Sequence, residues 1–121
     1  MIERESVTFS IKNNIGNVVS SISCHYYGDG FNWVLLSDAN TDVLYRNNGY
    51  MTNLLEECIK YSEFRGCGAY LMVEVGNYQA VKLYMNFGFE EVNRQHIGGF
   101  EYIVMAYGKR DIKELLDCKF S

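Results

Sequence analysis

The sequence predicts a single mixed α/β (α+β) domain, a sheet of mostly antiparallel, hairpin-connected strands flanked by helices. Three observations predict it. Ser6–Lys12 and Val18–Tyr27 alternate apolar and polar residues, the period changes to helical from Gly49, and the nearly continuous apolar run Ala69–Val75 lies between two helical stripes. A chain of 121 residues suits one domain, 1–121, with one hydrophobic core.

The elements follow in order. Asn13-Asn14-Ile15-Gly16-Asn17 between the two alternating runs is a hairpin signature. Gly28-Asp29-Gly30 turns the chain into a third strand, from about Phe31 to Asn40. Met51, Leu54, Leu55, Cys58, Ile59 and Ser62 then form one stripe of an amphipathic helix that ends near Arg65-Gly66. Ala69–Val75 suits a central strand covered on both faces. Asn77 caps a second helix with Ala80, Leu83, Tyr84 and Phe87 inward, and Gly88 stands where a left-handed terminating residue belongs. Phe89–Val92 and Glu101–Tyr107 read as strands about the Gly98-Gly99 turn, and Asp111-Ile-Lys-Glu114 resembles a capping box opening a short helix over 111–119.

Composition excludes several classes. Apolar residues make up 48% and charged residues 21%, a globular balance that excludes disorder and fibres. No apolar run approaches the ~20 residues of a membrane span, and Met-Ile-Glu-Arg-Glu-Ser has no apolar leader core. A net charge of −4 speaks against a nucleic-acid footprint. The expectation is a cytoplasmic protein without nucleic-acid or membrane partners. Cys24, Cys58, Cys67 and Cys118 are scattered, with no paired spacing for a metal, and read as reduced packed thiols. There is no proline to punctuate any turn.

Chemistry concentrates at two places. In Tyr45-Arg46-Asn47-Asn48-Gly49-Tyr50-Met51 a strand gives way to a helix, whose first amides are unpaired and carry partial positive charge. Gly49 lets backbone approach an anion closely, and Arg46 adds charge, so a diphosphate suits this loop. It is neither a Walker loop nor a dinucleotide fingerprint. The second place is the stretch Val73-x-x-x-Asn77-x-x-Ala80-x-x-Leu83-Tyr84-x-x-x-Gly88-Phe89.

Together with Arg46-x-x-Gly49, that stretch closely resembles the GNAT superfamily of N-acyltransferases, over about residues 5 to 107. The resemblance implies that the strand before the loop and Ala69–Val75 form a central parallel pair that splays apart. It also implies acetyl-coenzyme A as cofactor and an amine of a small molecule or protein as acceptor. The pantetheine arm would pair with backbone near Ala39, Thr41 and Val43. The pyrophosphate would sit on Arg46 and the amides of Asn47, Asn48, Gly49, Tyr50 and Met51. Asn77 would hold pantetheine as well as cap its helix. Tyr84 matches the tyrosine that often protonates the departing thiolate, a role the motif favours over that of a stripe aromatic packed on the sheet.

Some positions depart from the pattern. Met51 and Asn47 replace small residues and are expected to crowd the phosphates. The two positions where relatives carry a basic Glu are Leu35 and Met72 here. Glu74 is the first substitute base. Asp38 is the second, and a backbone bulge is needed to turn it into the cleft. Water could also carry the proton. His25 and His96 stand alone and read as surface residues. The family opens with a strand and two helices, whereas this chain begins near the second strand. The first strand is therefore expected to be an exposed edge, and the chain a homodimer. The alternative to an N-acetyltransferase is an inactive coenzyme A-binding or protein-interaction module.

Overall fold

The computed structural model describes residues 2–108 and 111–117. Alternation and turn chemistry build the first hairpin, β1 (Glu5–Lys12) and β2 (Val18–Tyr26). In the turn, the Asn13 carboxamide oxygen accepts from the amides of Ile15 and Asn17 at 3.1 and 3.0 Å, so one side chain replaces the missing ladder partners. The third strand, β3 (Trp33–Thr41), starts two residues later than the sequence suggests and ends one later.

A short 3-10 turn (Val43–Tyr45) leads to α1 (Tyr50–Phe64), then β4 (Gly68–Glu74) and α2 (Tyr78–Phe87). The last hairpin is β5 (Glu90–Ile97) and β6 (Phe100–Tyr107), followed by α3 (Lys113–Asp117). β5 runs five residues beyond the expected Val92. A bulge between Glu91 and Asn93 shifts its register, so simple alternation breaks there. Residues 118 and 119 of the expected last helix, Cys118 among them, lie outside the described residues. Asp111 does accept from the Lys113 amide at 2.9 Å, but Glu114 does not reach back as a capping box requires. It bonds Asn32 instead.

The sheet order is β1-β2-β3-β4-β6-β5, antiparallel everywhere except β3 against β4. α1 and α2 cover one face. There Leu54, Leu55, Cys58, Ile59 and Tyr84 pack against Ile22, Cys24, Val34, Leu36, Leu71 and Val73. On the opposite face Trp33, Tyr70, Val104, Ala106 and Leu115 form a second cluster, with the Trp33 indole N–H donating to the Asp111 carbonyl at 3.3 Å. The β4 run is apolar because both of its faces are covered.

One polar cluster ties the sheet edge to α1. The Glu5 carboxylate on β1 accepts from the Tyr61 hydroxyl and pairs with Arg65, whose guanidinium lies 4.8 Å from the centre of the Tyr26 ring. The Tyr61 and Arg65 contacts hold the Glu5 carboxyl below its ordinary value of 4.5. Burial, then the Glu5 contact, pushes Tyr61 up from 10.0 to about 12.

These shifts set opposite pH arms. Native Glu5 favours the ionised form, so its contribution is present above pH 4.5 and is lost as pH falls below it. Native Tyr61 favours the neutral phenol, so its contribution is present below pH 10.0 and is lost as pH rises toward about 12. Thermal unfolding across pH checks both. Glu5→Gln flattens the acid arm and Tyr61→Phe the alkaline one, and parallel curves for variant and wild type count against the cluster.

Candidate functional site

The site begins at an irregularity of β3. Ser21 pairs with Asn40 and Ser23 with Ser37, so two steps along β2 face three along β3. The extra residue is a β-bulge, and its centre, Asp38, takes a left-handed φ of +56°. Asp is among the few side chains that accept this backbone, because a short polar group can bond locally. Here the Ser37 hydroxyl donates to the Asp38 carboxylate at 3.1 Å.

The parallel ladder between β3 and β4 ends just before the bulge. Trp33–Gly68, Val34–Ala69 and Leu35–Tyr70 are paired, and beyond them the strands part. β3 stays bonded to β2, and β4 to β6 as far as Glu74, so their facing edges carry unpaired backbone groups. A cavity of about 270 Å³ opens in this splay. Ile22, Leu36, Ala39, Leu71, Val73 and Ala80 give it an apolar wall, and Ser37, Asp38, Glu74, Asn77 and Tyr84 line its polar parts.

These are residues from three separate stretches of chain. Tyr84 reaches the cavity from α2, 7% exposed and edge-on to Phe89 at 5.9 Å between ring centres. Burial first, and the nearby Cys58 second, raise its pKa above the ordinary tyrosine value. Like any phenol with an ordinary value of 10.0 it is protonated at neutral pH, and its hydroxyl has no hydrogen-bond partner among the described residues. Asn77 caps α2 by accepting from the Ala80 amide at 3.3 Å, and Glu74 sits exposed at the end of β4. Gly88 ends the helix at φ +125°, where a Cβ would stand 3.0 Å from the Tyr107 ring.

The loop before α1 lies at the far end of β3. Ala39 and Thr41 belong to the strand, but Val43 opens the 3-10 turn and is 72% exposed, so the extended backbone expected through Val43 stops at Thr41. The Ser20 hydroxyl, 2.7 Å from that of Thr41, and the Asp42 amide bonding Val19 tie this end to β2 and turn the chain. The Arg46 Nε donates to the Thr41 carbonyl at 3.0 Å, leaving its terminal nitrogens without partners among the described residues. Asn48 braces the loop through the Tyr45 carbonyl at 3.0 Å.

Asn47 and Gly49 are left-handed, at φ +64° and +77°. Such backbone builds concave sets of amides that bind anions. No side chain caps α1, and a Cβ on Gly49 would meet nothing within 4 Å, so the space before Tyr50 is open. Met51, in the first turn of α1, is partly buried and packs its side chain against the core cluster.

One reading of the sequence is corrected here. His25 is not an isolated surface residue: its Nδ1 pairs with Glu3, and its Nε2 lies 2.6 Å from the Ser37 hydroxyl. Sequence offered no signal for this. The partners stand 22 and 12 residues away and meet only through β-pairing.

Solved structures share this fold. An acetyltransferase from Bacillus cereus is 23% identical with a TM-score of 0.72, the match covering 85% of this chain and 72% of that one. Arabidopsis thaliana NAA60, solved with a bisubstrate analogue, is 21% identical with a TM-score of 0.71, over 84% and 75% of the two chains. Arabidopsis thaliana Naa50, in complex with the bisubstrate analogue CoA-Ac-MVNAL, is 25% identical with a TM-score of 0.65, over 76% and 66%. No curated protein matches the chain. The sequence profile of the Acetyltransferase (GNAT) family matches residues 1–89. With that match over most of its length, and with the splayed sheet to go with it, the chain belongs to the GNAT acetyltransferase family.

Proposed function

We propose that the protein is an N-acetyltransferase that moves the acetyl group of acetyl-coenzyme A to a primary amine by direct attack. The observation that carries this reading is the parting of β3 and β4 after Leu35 and Tyr70, with an uncapped helix start at one end of the gap and Tyr84 inside it. An extended pantetheine arm matches two facing edges of unpaired backbone, since amide groups along it can bond as a strand does. A pyrophosphate matches the amides of Asn47 to Met51, to which Arg46 adds charge. Family membership supports acyl-coenzyme A as the donor.

The chemistry then needs two proton movements. A neutral amine attacks the thioester carbonyl, the tetrahedral intermediate expels the thiolate, and Tyr84 delivers its phenolic proton to that sulfur. The attacking nitrogen must lose a proton, and Asp38 or Glu74 receives it. The acceptor is an amine of a small molecule or of a protein. Bisubstrate complexes of NAA60 and Naa50 belong to those proteins, and they support an amine acceptor only as a class. We also propose that two copies pair through β1, whose outer edge has no partner strand among the described residues. Light scattering checks this, and a single-chain mass removes it.

Thermal unfolding with millimolar acetyl-coenzyme A tests binding. At a hundred times the dissociation constant the ligand adds ~2.7 kcal/mol of stability, and the melting point rises. Gly49→Glu abolishes the shift. Gly49→Ala, which carries the same left-handed backbone strain without charge, keeps part of it. No shift in the wild type overturns the cofactor site, and a shift without thioester turnover in an amine screen selects a coenzyme A-binding module instead.

Tyr84→Phe retains the edge contact with Phe89 and loses only the hydroxyl. Its kcat falls by about 100-fold, the lower end of what a positioned acid supplies, while KM for acetyl-coenzyme A changes little. Full turnover in that variant assigns Tyr84 to packing alone.

A further inference from the structure

We propose that Asp38, Ser37, His25 and Glu3 form a proton relay that carries the amine's proton from the cleft to solvent, across the sheet face opposite α1 and α2. The relay rests on the acetyl-transfer reading above and deepens it by choosing Asp38 over Glu74 as the base.

Four contacts in series make the path. Asp38 lines the cleft at the bulge. The Ser37 hydroxyl donates to its carboxylate at 3.1 Å. His25 Nε2 lies 2.6 Å from the same hydroxyl, and His25 Nδ1 pairs with Glu3. Asp38 is exposed on the cleft side and the Glu3 side chain is 41% exposed at the other end, with the His25 side chain, 22% exposed, between them. Glu74, the other carboxylate of the cleft, has no such series behind it among the described residues.

The bulge is what links the two sites. Along an unbroken strand Ser37 and Asp38 would point to opposite faces. With Asp38 at φ +56°, the serine keeps its place beside His25 on one face and still bonds a carboxylate that opens into the splay. A left-handed aspartate is a costly residue to place in a strand, and the contact with Ser37 helps to hold it.

As the nitrogen–carbon bond forms, the amine's proton passes to the Asp38 carboxylate. Protonated Asp38 then donates to the Ser37 oxygen, so the Ser37 hydroxyl turns from the carboxylate to His25 Nε2 and gives it its own proton as the one from Asp38 arrives. The resulting imidazolium keeps its Nδ1 proton on Glu3, which stabilises the added charge. The pair then loses one proton to water, and neutral imidazole is restored. Ser37 forms no covalent bond. It and His25 act through Asp38, the group that takes the proton from the substrate. A histidine suits the outer station because its ring gains and loses a proton near neutral pH more readily than any other side chain.

The test uses the full chain, with acetyl-coenzyme A and a panel of polyamines and of peptides with free amino termini. His25→Ala, and His25→Gln, which can hydrogen-bond but cannot carry the proton, each lower kcat by about 100-fold. KM for acetyl-coenzyme A and the ligand-induced rise in melting point stay unchanged. Added imidazole restores turnover to His25→Ala. Ser37→Ala loses rate similarly and is not restored. Wild-type turnover in the His25 and Ser37 variants overturns the relay, and so does a loss in His25→Ala that imidazole leaves untouched. A wild type that turns over no amine removes the acetyl-transfer reading itself, and the relay with it. The wild-type rate thus separates the two failures.

Discussion

One additional residue in β3 governs the site. The bulge at Asp38 lets β3 keep its bonds to β2 while its far half leaves β4, because a bulged strand bends and twists more than a regular one. Without it the parallel ladder would have no reason to stop at Leu35 and Tyr70, and the backbone groups beyond would satisfy each other. The bulge therefore converts ladder hydrogen bonds into open donors and acceptors that a ligand can use. It also turns Asp38 into the cleft.

The splay is useful only if its walls hold still. α1 is anchored by Leu54, Leu55, Cys58 and Ile59 against the sheet, and its last turn is tied to β1 by the Glu5, Tyr61 and Arg65 cluster. Cys58 illustrates how dry this layer is: its contact with Cys24, together with burial, drives its thiol far above the ordinary value, so it acts as packing rather than as a nucleophile. A rigid α1 fixes the direction of its unpaired first amides, and Gly49 supplies the left-handed turn that swings the chain from the 3-10 segment onto that axis. The same burial raises the Tyr84 phenol above its ordinary value.

Much of the site was legible because it depends on local rules. A cap asparagine, a stripe that includes Tyr84 and a terminating glycine sit within twelve residues of one another, and their positions on α2 follow from helical periodicity. Met51 shows the other side: a motif position says what residue type is usual, not which way a larger side chain turns, and this one packs partly buried against the core. Asp38 lies between. Sequence marked it as a carboxylate near the cleft that needed a bulge, but no residue type in β2 or β3 announces where a ladder slips.

By itself the sequence determined what periodicity, caps and turn residues determine: the order of strands and helices, the apolar central strand, the helix stripes and the motif on α2. The tertiary structure alone decided the length of β5, the point where β3 and β4 separate, the inward course of Met51 and the meeting of Glu3, His25 and Ser37. The physical reason is range. Helix signals act over three or four residues, whereas register between strands is settled by the summed fit of side chains distant in sequence, where a one-residue slip costs little locally and redirects everything beyond it.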